Sequence, residues 1–259
     1  PILIFDSGMG GLTVARAVAA HMPGSALDYA ADTAAFPIGG WAERDLDERI
    51  GTVVGELIER IGPRAVVVAC NTASTVALMS LRARFDIPFV GTVPAINPAA
   101  LGTSSGVIGV LASEGTIARD NTKALIESFS YHHEVVLHGC PGLAELAECK
   151  MRGETVTDQA VLAEIEPVFV ERSGKRTDAV VLGCTHYPLL LDQLERVAPW
   201  PVTFVDPSDA IARRVVDIMP AAGPVVEGRA WVTSEDGLRH EAIFERYGFA
   251  ATVLVDLPV

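Results

Sequence analysis

Two cysteines in this chain stand in matching settings. The stretch Ala65 to Ser74 reads AVVVACNTAS, and the stretch Val180 to Leu190 reads VVLGCTHYPLL. In both, a β-branched apolar run has the pattern of a buried strand, and Cys70 or Cys184 stands where that strand must end. Polar residues follow and open an apolar-periodic segment that reads as a helix. A thiol between a strand end and a helix start lies near unpaired N–H groups and the positive end of a helix dipole. That setting lowers a cysteine pKa from about 8.5 toward neutrality and makes thiolate available for acid–base work. A single cysteine so placed would pass for a small buried apolar residue; two in one grammar suggest a pair of acid–base groups.

The elements around them repeat as well. Ile2 to Gly8 (ILIFDSG) and Val107 to Thr116 (VIGVLASEGT) each read as a strand running into a polar, glycine-containing turn, followed by a helix. The order strand–polar turn–helix, then later strand–cysteine–helix, therefore occurs twice. It predicts two similar α/β halves with mainly parallel sheets, related by a pseudo-twofold and facing each other so that both thiols enter one cleft. Along the chain, the patterns predict strands at 2–5, 27–31, 65–69, 87–93, 107–111, 133–137, 178–183 and 200–205. Helices are predicted at 12–21, 43–61, 143–149, 156–171 and 211–219, after Thr116 to about Phe129, and from Thr185 onward. The segment 174–177 reads as a turn, the proline-flanked stretch 94–98 as the crossing into the second half, and 200–205 as the start of the return. The tail 229–259 reads as a strand, a helix near 238–247 and a short final strand.

Composition narrows the function. The chain has 259 residues, enough for a large core. A formal charge of −13 argues against a nucleic-acid surface, which needs clustered Lys and Arg. Every apolar run is too short or too interrupted to span a bilayer, and Pro1 to Leu3 already reads as strand, so no secretory leader is expected. Four cysteines without an export signal point to reduced thiols in the cytoplasm, with Cys140 and Cys149 as bystanders. A zinc site from Cys70, Cys184 and His186 lacks C-x-x-C spacing, so no metal is expected. The turn Asp6 to Gly11 follows a strand and opens a helix, with Asp28 beyond. Its glycines at 8, 10 and 11, with Thr13 after them, miss the dinucleotide fingerprint, which weakens an oxidoreductase reading. Glu145 and Glu148 have the pattern of solvated helix charges.

These stretches resemble the cofactor-independent aspartate/glutamate racemase family. The resemblance is carried by Phe5 to Thr13 (FDSGMGGLT), Asp32 to Gly39 (DTAAFPIG), Ala69 to Ser74 (ACNTAS), Ser113 to Ile117 (SEGTI) and Gly183 to Pro188 (GCTHYP), in the family's order from end to end. It implies a first domain of residues 1–95 with 207–259, carrying Asp6 and Cys70, and a second of 96–206, carrying Glu148 and Cys184. It implies interconversion of L- and D-glutamate without a cofactor, as a supply for peptidoglycan synthesis, by a homodimeric cytoplasmic enzyme. Cys70 would be the base toward D-glutamate and Cys184 toward L-glutamate, with Asp6, Glu148 and His186 as auxiliary catalytic groups. Asp6, Ser7, Ile38, Gly39, Asn71, Thr72, Thr116, Thr185 and His186 would contact substrate.

Two departures stand out. The family's usual Pro-Tyr-Gly is Pro37-Ile38-Gly39 here, so a tyrosine hydroxyl is replaced by an aliphatic side chain, and substrate preference or rate is expected to differ. The stretch 91–98 (GTVPAINP) replaces a shorter form with an acidic residue. The alternatives are a sister racemase acting on aspartate or another amino acid, a decarboxylase relative, or a fold-retaining regulatory protein that binds DNA gyrase. The decarboxylase pattern keeps one cysteine, and retention of both speaks for racemisation.

Overall fold

Strands that are apolar at nearly every position, such as Ile2 to Phe5 and Ala65 to Val68, fit sheets covered by helices on both faces. A computed structural model of the chain describes residues 1–129, 131–219 and 227–257. Its elements in order are β1 (Ile2–Asp6), α1 (Leu12–His21), β2 (Leu27–Ala31), α2 (Glu43–Ile61), β3 (Ala65–Val68), α3 (Asn71–Arg84), β4 (Phe89–Gly91), α4 (Ile96–Gly102), β5 (Val107–Ala112), α5 (Glu114–Ile117), α6 (Asp120–Phe129) and β6 (Glu134–Gly139). There follow α7 (Leu143–Met151), α8 (Asp158–Ile165), β7 (Glu171–Arg172), β8 (Lys175–Arg176), β9 (Ala179–Leu182), α9 (Leu191–Val197), β10 (Thr203–Val205), α10 (Ser208–Ile218), β11 (Ala230–Val232), α11 (Glu235–Leu238), α12 (Glu241–Arg246) and β12 (Thr252–Leu254). Short 3-10 turns occupy Ile38–Gly40, Glu166–Val168 and Tyr187–Leu190.

The described residues divide into two compact units, Pro1–Thr92 with Ser208–Val259, and Val93–Pro207. In the first unit six parallel strands run in the order β12-β11-β2-β1-β3-β4. Leu3 and Phe5 of β1 and Val66 and Val68 of β3 pack with α2 and α3, through Leu46, Ile50, Val54, Ala73, Ala77 and Leu81. Ile4 and Val67 alternate to the opposite face and are equally buried. In the second unit four parallel strands run in the order β10-β9-β5-β6. Leu111, Val180 and Leu182 pack with α7, α8 and α9 on one face, while Ile108, Val110, Ala179 and Val181 pack with α4 and α6 on the other.

The duplication is visible in strand order. The run β2-β1-β3-β4 of the first unit has the same sequence-to-space pattern as β6-β5-β9-β10 of the second. In each, the first strand has its second strand on one side and its third, the cysteine-bearing one, on the other. Strand order reverses beside the first strand, and the carboxyl ends there form the crevice where open α/β sheets hold ligands.

Several segments depart from the sequence expectation, each for a local reason. The helix expected over 156–171 runs only from Asp158 to Ile165, because Pro167 lies in the 3-10 turn that follows. The expected turn at 174–177 is one arm of a hairpin whose tip, Ser173 and Gly174, takes positive φ of 54° and 75°. The 94–98 stretch contains the start of α4, which accommodates Pro98 in its first turn. The helix expected after Thr116 is α6, with the short α5 inside the expected turn before it, and the tail helix expected near 238–247 is α12, with the short α11 preceding it. The 200–205 strand does not begin a return, since β10 pairs with β9 in the second unit's sheet. The final expected strand ends at Leu254, and 258–259 lie outside the described residues.

Candidate active site

In the first unit the site grows from the carboxyl ends of β1 and β3, which are neighbours in register from Ile2–Ala65 to Phe5–Val68. Asp6 ends β1, fully buried, and its Oδ1 accepts the Gly8 N–H at 2.8 Å. Ser7 follows, and its hydroxyl donates to Cys70 Sγ at 3.8 Å. Cys70 is the N-cap residue of α3, with extended backbone (φ −69°, ψ 125°), so its thiol stands at the head of a 14-residue helix. Ser74, one turn on, fastens this helix start: its hydroxyl donates to the Val68 carbonyl at 2.7 Å and accepts the Thr92 N–H at 3.0 Å. Asn71 and Thr72 are buried beside the thiol. Both polar ends of the Asn71 side chain, Oδ1 and Nδ2, are without a hydrogen-bond partner among the described residues. A buried amide so placed costs free energy unless something polar meets it.

The loop after β2 is anchored rather than loose. Asp32 is bidentate to Arg49 of α2, at 3.0 and 2.6 Å, and accepts the Thr233 hydroxyl at 2.6 Å. Ile38, expected to touch substrate, has its side chain 5% exposed and packed in the core cluster that also contains Ala35, Ala73 and Cys70. Its place in a substrate site would therefore rest on backbone and shape, with half-buried Gly39 beside it.

In the second unit the corresponding crevice lies between the ends of β5 and β9. The Gly183 N–H donates to the Leu111 carbonyl at 2.7 Å, and a Cβ at 183 would stand 2.7 Å from that same oxygen, which is why glycine precedes the cysteine. Ser113 caps α5: its hydroxyl accepts the Thr116 N–H at 3.2 Å and pairs with the fully buried Thr116 hydroxyl at 2.9 Å. Cys184 is half-buried, and its Sγ lies 3.8 Å from His186 Nδ1. His186 Nε2 lies 2.8 Å from Glu148 Oε1, with both side chains almost wholly enclosed. With Glu148 ionised, Nε2 carries the proton and donates to it, which leaves the Nδ1 lone pair facing the thiol. Thiol, imidazole and carboxylate thus line up as nucleophile-type activation requires.

This chain of contacts corrects two expectations. Cys184 does not stand at the head of an α-helix; a turn and the 3-10 segment Tyr187–Leu190, with Pro188 in it, separate it from α9. The group that faces its sulfur is therefore His186 rather than a helix terminus. Glu148 is no solvated charge: it is 3% exposed, whereas Glu145, three residues back, is exposed.

A model of the family described as Asp/Glu/Hydantoin racemase matches residues 13–215. The chain belongs to that family. Glutamate racemases of Brucella canis and Agrobacterium fabrum are 52% identical to it over 222 and 221 residues, covering 85% of this chain and 80% and 81% of theirs. The Escherichia coli glutamate racemase, solved with L-glutamate and the activator UDP-MurNAc-ala, superposes with a TM-score of 0.93 at 37% identity, covering 100% of this chain and 99% of that one. The Bacillus anthracis RacE1 glutamate racemase superposes with a TM-score of 0.82 at 30% identity, covering 100% and 98%.

Among racemase-family cysteines, the other two here are electrostatically unsuited to proton transfer. Burial pushes the Cys140 thiol up to about 12, and burial together with Glu154 raises that of Cys149. Both thus stay protonated at neutral pH. All four cysteines are free thiols. Among the described residues no group of three or more His, Cys, Asp and Glu is arranged to hold a metal ion.

Two site-supporting residues escaped the sequence reading. Arg152 places Nη1 4.0 Å from Glu148 Oε2, one turn along, and the i,i+4 spacing of opposite charges was the available signal. Gly11 has ordinary helical φ of −63°, yet a Cβ there would meet Asp6 Cβ at 2.8 Å, Tyr29 Oη at 3.1 Å and Ala69 Cβ at 3.2 Å. These neighbours are short or clamped and cannot yield cheaply. Gly11→Ala is therefore expected to displace Asp6, lowering turnover and stability together, the latter by about 1–3 kcal/mol. Urea unfolding beside a rate assay checks it; an unchanged midpoint would show that the turn has slack.

Proposed function

We propose that this chain interconverts L- and D-glutamate without a cofactor, Cys70 and Cys184 serving as the two acid–base groups on opposite faces of the substrate's Cα. The observation that carries the reading is the duplicated placement of the thiols: each follows the third strand of the same four-strand pattern, at the crevice end of its sheet. Racemisation removes a proton from one face of a carbon and returns one to the other, so an acid and a base must flank it. In one direction the Cys184 thiolate takes the proton of L-glutamate while the Cys70 thiol supplies the opposite face; in the other the roles exchange.

The auxiliary groups differ between the two thiols, and the proposal uses that difference. His186, oriented by Glu148, accepts the Cys184 proton and returns it. Ser7 offers a hydroxyl to the Cys70 sulfur, and Asp6 sits one residue before it. The carbanionic intermediate needs preorganised dipoles: Asn71 and Thr72 on one side and Thr116 and Thr185 on the other are the candidates, all buried. The unpaired Asn71 amide supports a polar ligand such as a carboxylate beside Cys70. In this reading residues 1–95 with 207–259 and residues 96–206 act as two domains of a cytoplasmic homodimer, and the product feeds peptidoglycan synthesis.

The test is direct. Purified protein in deuterated water, given L-glutamate alone, is expected to produce D-glutamate with deuterium at Cα, followed by proton NMR and chiral chromatography. Absence of exchange with both glutamate enantiomers would defeat the assignment, and turnover of aspartate in their place would transfer the chain to a sister activity.

A further inference from the structure

We propose that Tyr29 is a positioning residue, whose buried hydroxyl fixes the turn that presents Asp6 and Ser7 beside Cys70; this rests on the two-thiol reading above. Tyr29 lies on β2 in register with Ile4 of β1 and is fully buried. Its Oη reaches past the end of β1 and donates to the Gly8 carbonyl at 2.6 Å. The Gly8 N–H in turn donates to Asp6 Oδ1 at 2.8 Å. Residue 8 is thus held at both of its polar groups, and Ser7, with its hydroxyl 3.8 Å from Cys70 Sγ, lies between two fixed points.

The tyrosine is itself clamped. Phe244 and Phe249, from the first unit's C-terminal segment between β11 and β12, hold its ring at centroid distances of 5.8 and 5.7 Å. Both phenylalanines are buried. The far end of the chain therefore sets where the hydroxyl stands, and the hydroxyl sets the turn. A buried tyrosine hydroxyl ordinarily finds a partner; here that partner is the carbonyl of the turn that carries Asp6 and Ser7, so the bond acts on the turn itself.

Tyr29→Phe keeps the ring and removes the hydroxyl. Turnover is expected to fall about 10- to 100-fold, as a small misplacement of an acid–base group does. Loosening the Cys70 side makes its proton transfer more rate-limiting. The primary isotope effect with D-glutamate deuterated at Cα should therefore rise above that of the unaltered enzyme, while that with L-glutamate deuterated at Cα should fall. A purely structural loss reduces the active fraction and moves neither isotope effect. Unchanged turnover, or reduced turnover with both isotope effects unchanged, would overturn the role. A second measurement does not depend on the reaction: iodoacetamide labelling of Cys70, read by mass spectrometry, should slow severalfold in Tyr29→Phe while labelling of Cys184 does not. Equal Cys70 labelling in both proteins would also overturn it. If the unaltered protein leaves glutamate untouched, the functional reading fails by itself, and labelling still decides Tyr29.

Discussion

Cys70→Ser and Cys184→Ser are each expected to abolish racemisation to within about a thousandth of the original rate or less. Serine keeps the shape of the side chain but raises the pKa of the reacting group far beyond the neutral range, so neither general acid nor general base survives at that position. The effect should not arise from unfolding, because the replacement is nearly isosteric and neither sulfur is bonded to another. The two variants should also differ in what they retain. With Cys184 replaced, Cys70 can still take a proton from D-glutamate and return a solvent-derived one to the same face. Deuterium should then enter D-glutamate without L-glutamate appearing, and Cys70→Ser should show the mirror-image behaviour with L-glutamate. Chiral separation followed by mass spectrometry reads both outcomes. A single variant that racemises at the original rate would end the two-base assignment. Cys149→Ser serves as the comparison: burial together with Glu154 raises the pKa of its thiol, and turnover should persist.

The contrast between the two thiols marks where the sequence was readable and where it was not. The segments β1, α1, β2, α2 and β3 lie within a residue or so of their expected bounds, because each has a clean period and a strong stop: Gly62 closes α2 in the left-handed conformation, and Cys70, where β3 was expected to end, opens α3 in an extended one. The setting of Cys70 was therefore legible in full. Around Cys184 the same grammar misleads, since Pro188 and the tight turn before it replace an α-helical start by a 3-10 segment. The carboxylate behind His186 comes from another place in the chain. Glu148 lies beside the inward stripe of α7, where Leu143 and Ala147 point into the core, and its partner His186 is 38 residues away. No periodicity distinguishes it from exposed Glu145; only tertiary packing does. Tyr29 is hidden for a related reason, as an aromatic residue in a strand signals packing and says nothing of its hydroxyl.

Glu148→Gln is expected to cost about 100-fold in turnover while leaving the fold intact. The glutamine is the same size and its oxygen can still accept from His186 Nε2, so the bond recorded at 2.8 Å has a substitute. What disappears is the charge. In the proposed reaction an imidazole that takes the Cys184 proton becomes a cation inside a nearly closed site, 2% exposed, and the carboxylate beside it would stabilise that cation in the absence of water. Arg152, whose Nη1 lies 4.0 Å from Glu148 Oε2, carries charge of the same sign as an imidazolium and cannot itself stabilise one. Glu148→Ala should behave differently. It leaves a buried ring N–H without an acceptor, so stability should fall by about 1–3 kcal/mol in addition to the loss of turnover. Urea unfolding curves and rates measured on both variants separate the two contributions. If Glu148→Gln turned over like the unaltered enzyme, the negative charge would have no part in activating Cys184, and His186 would have to act without it.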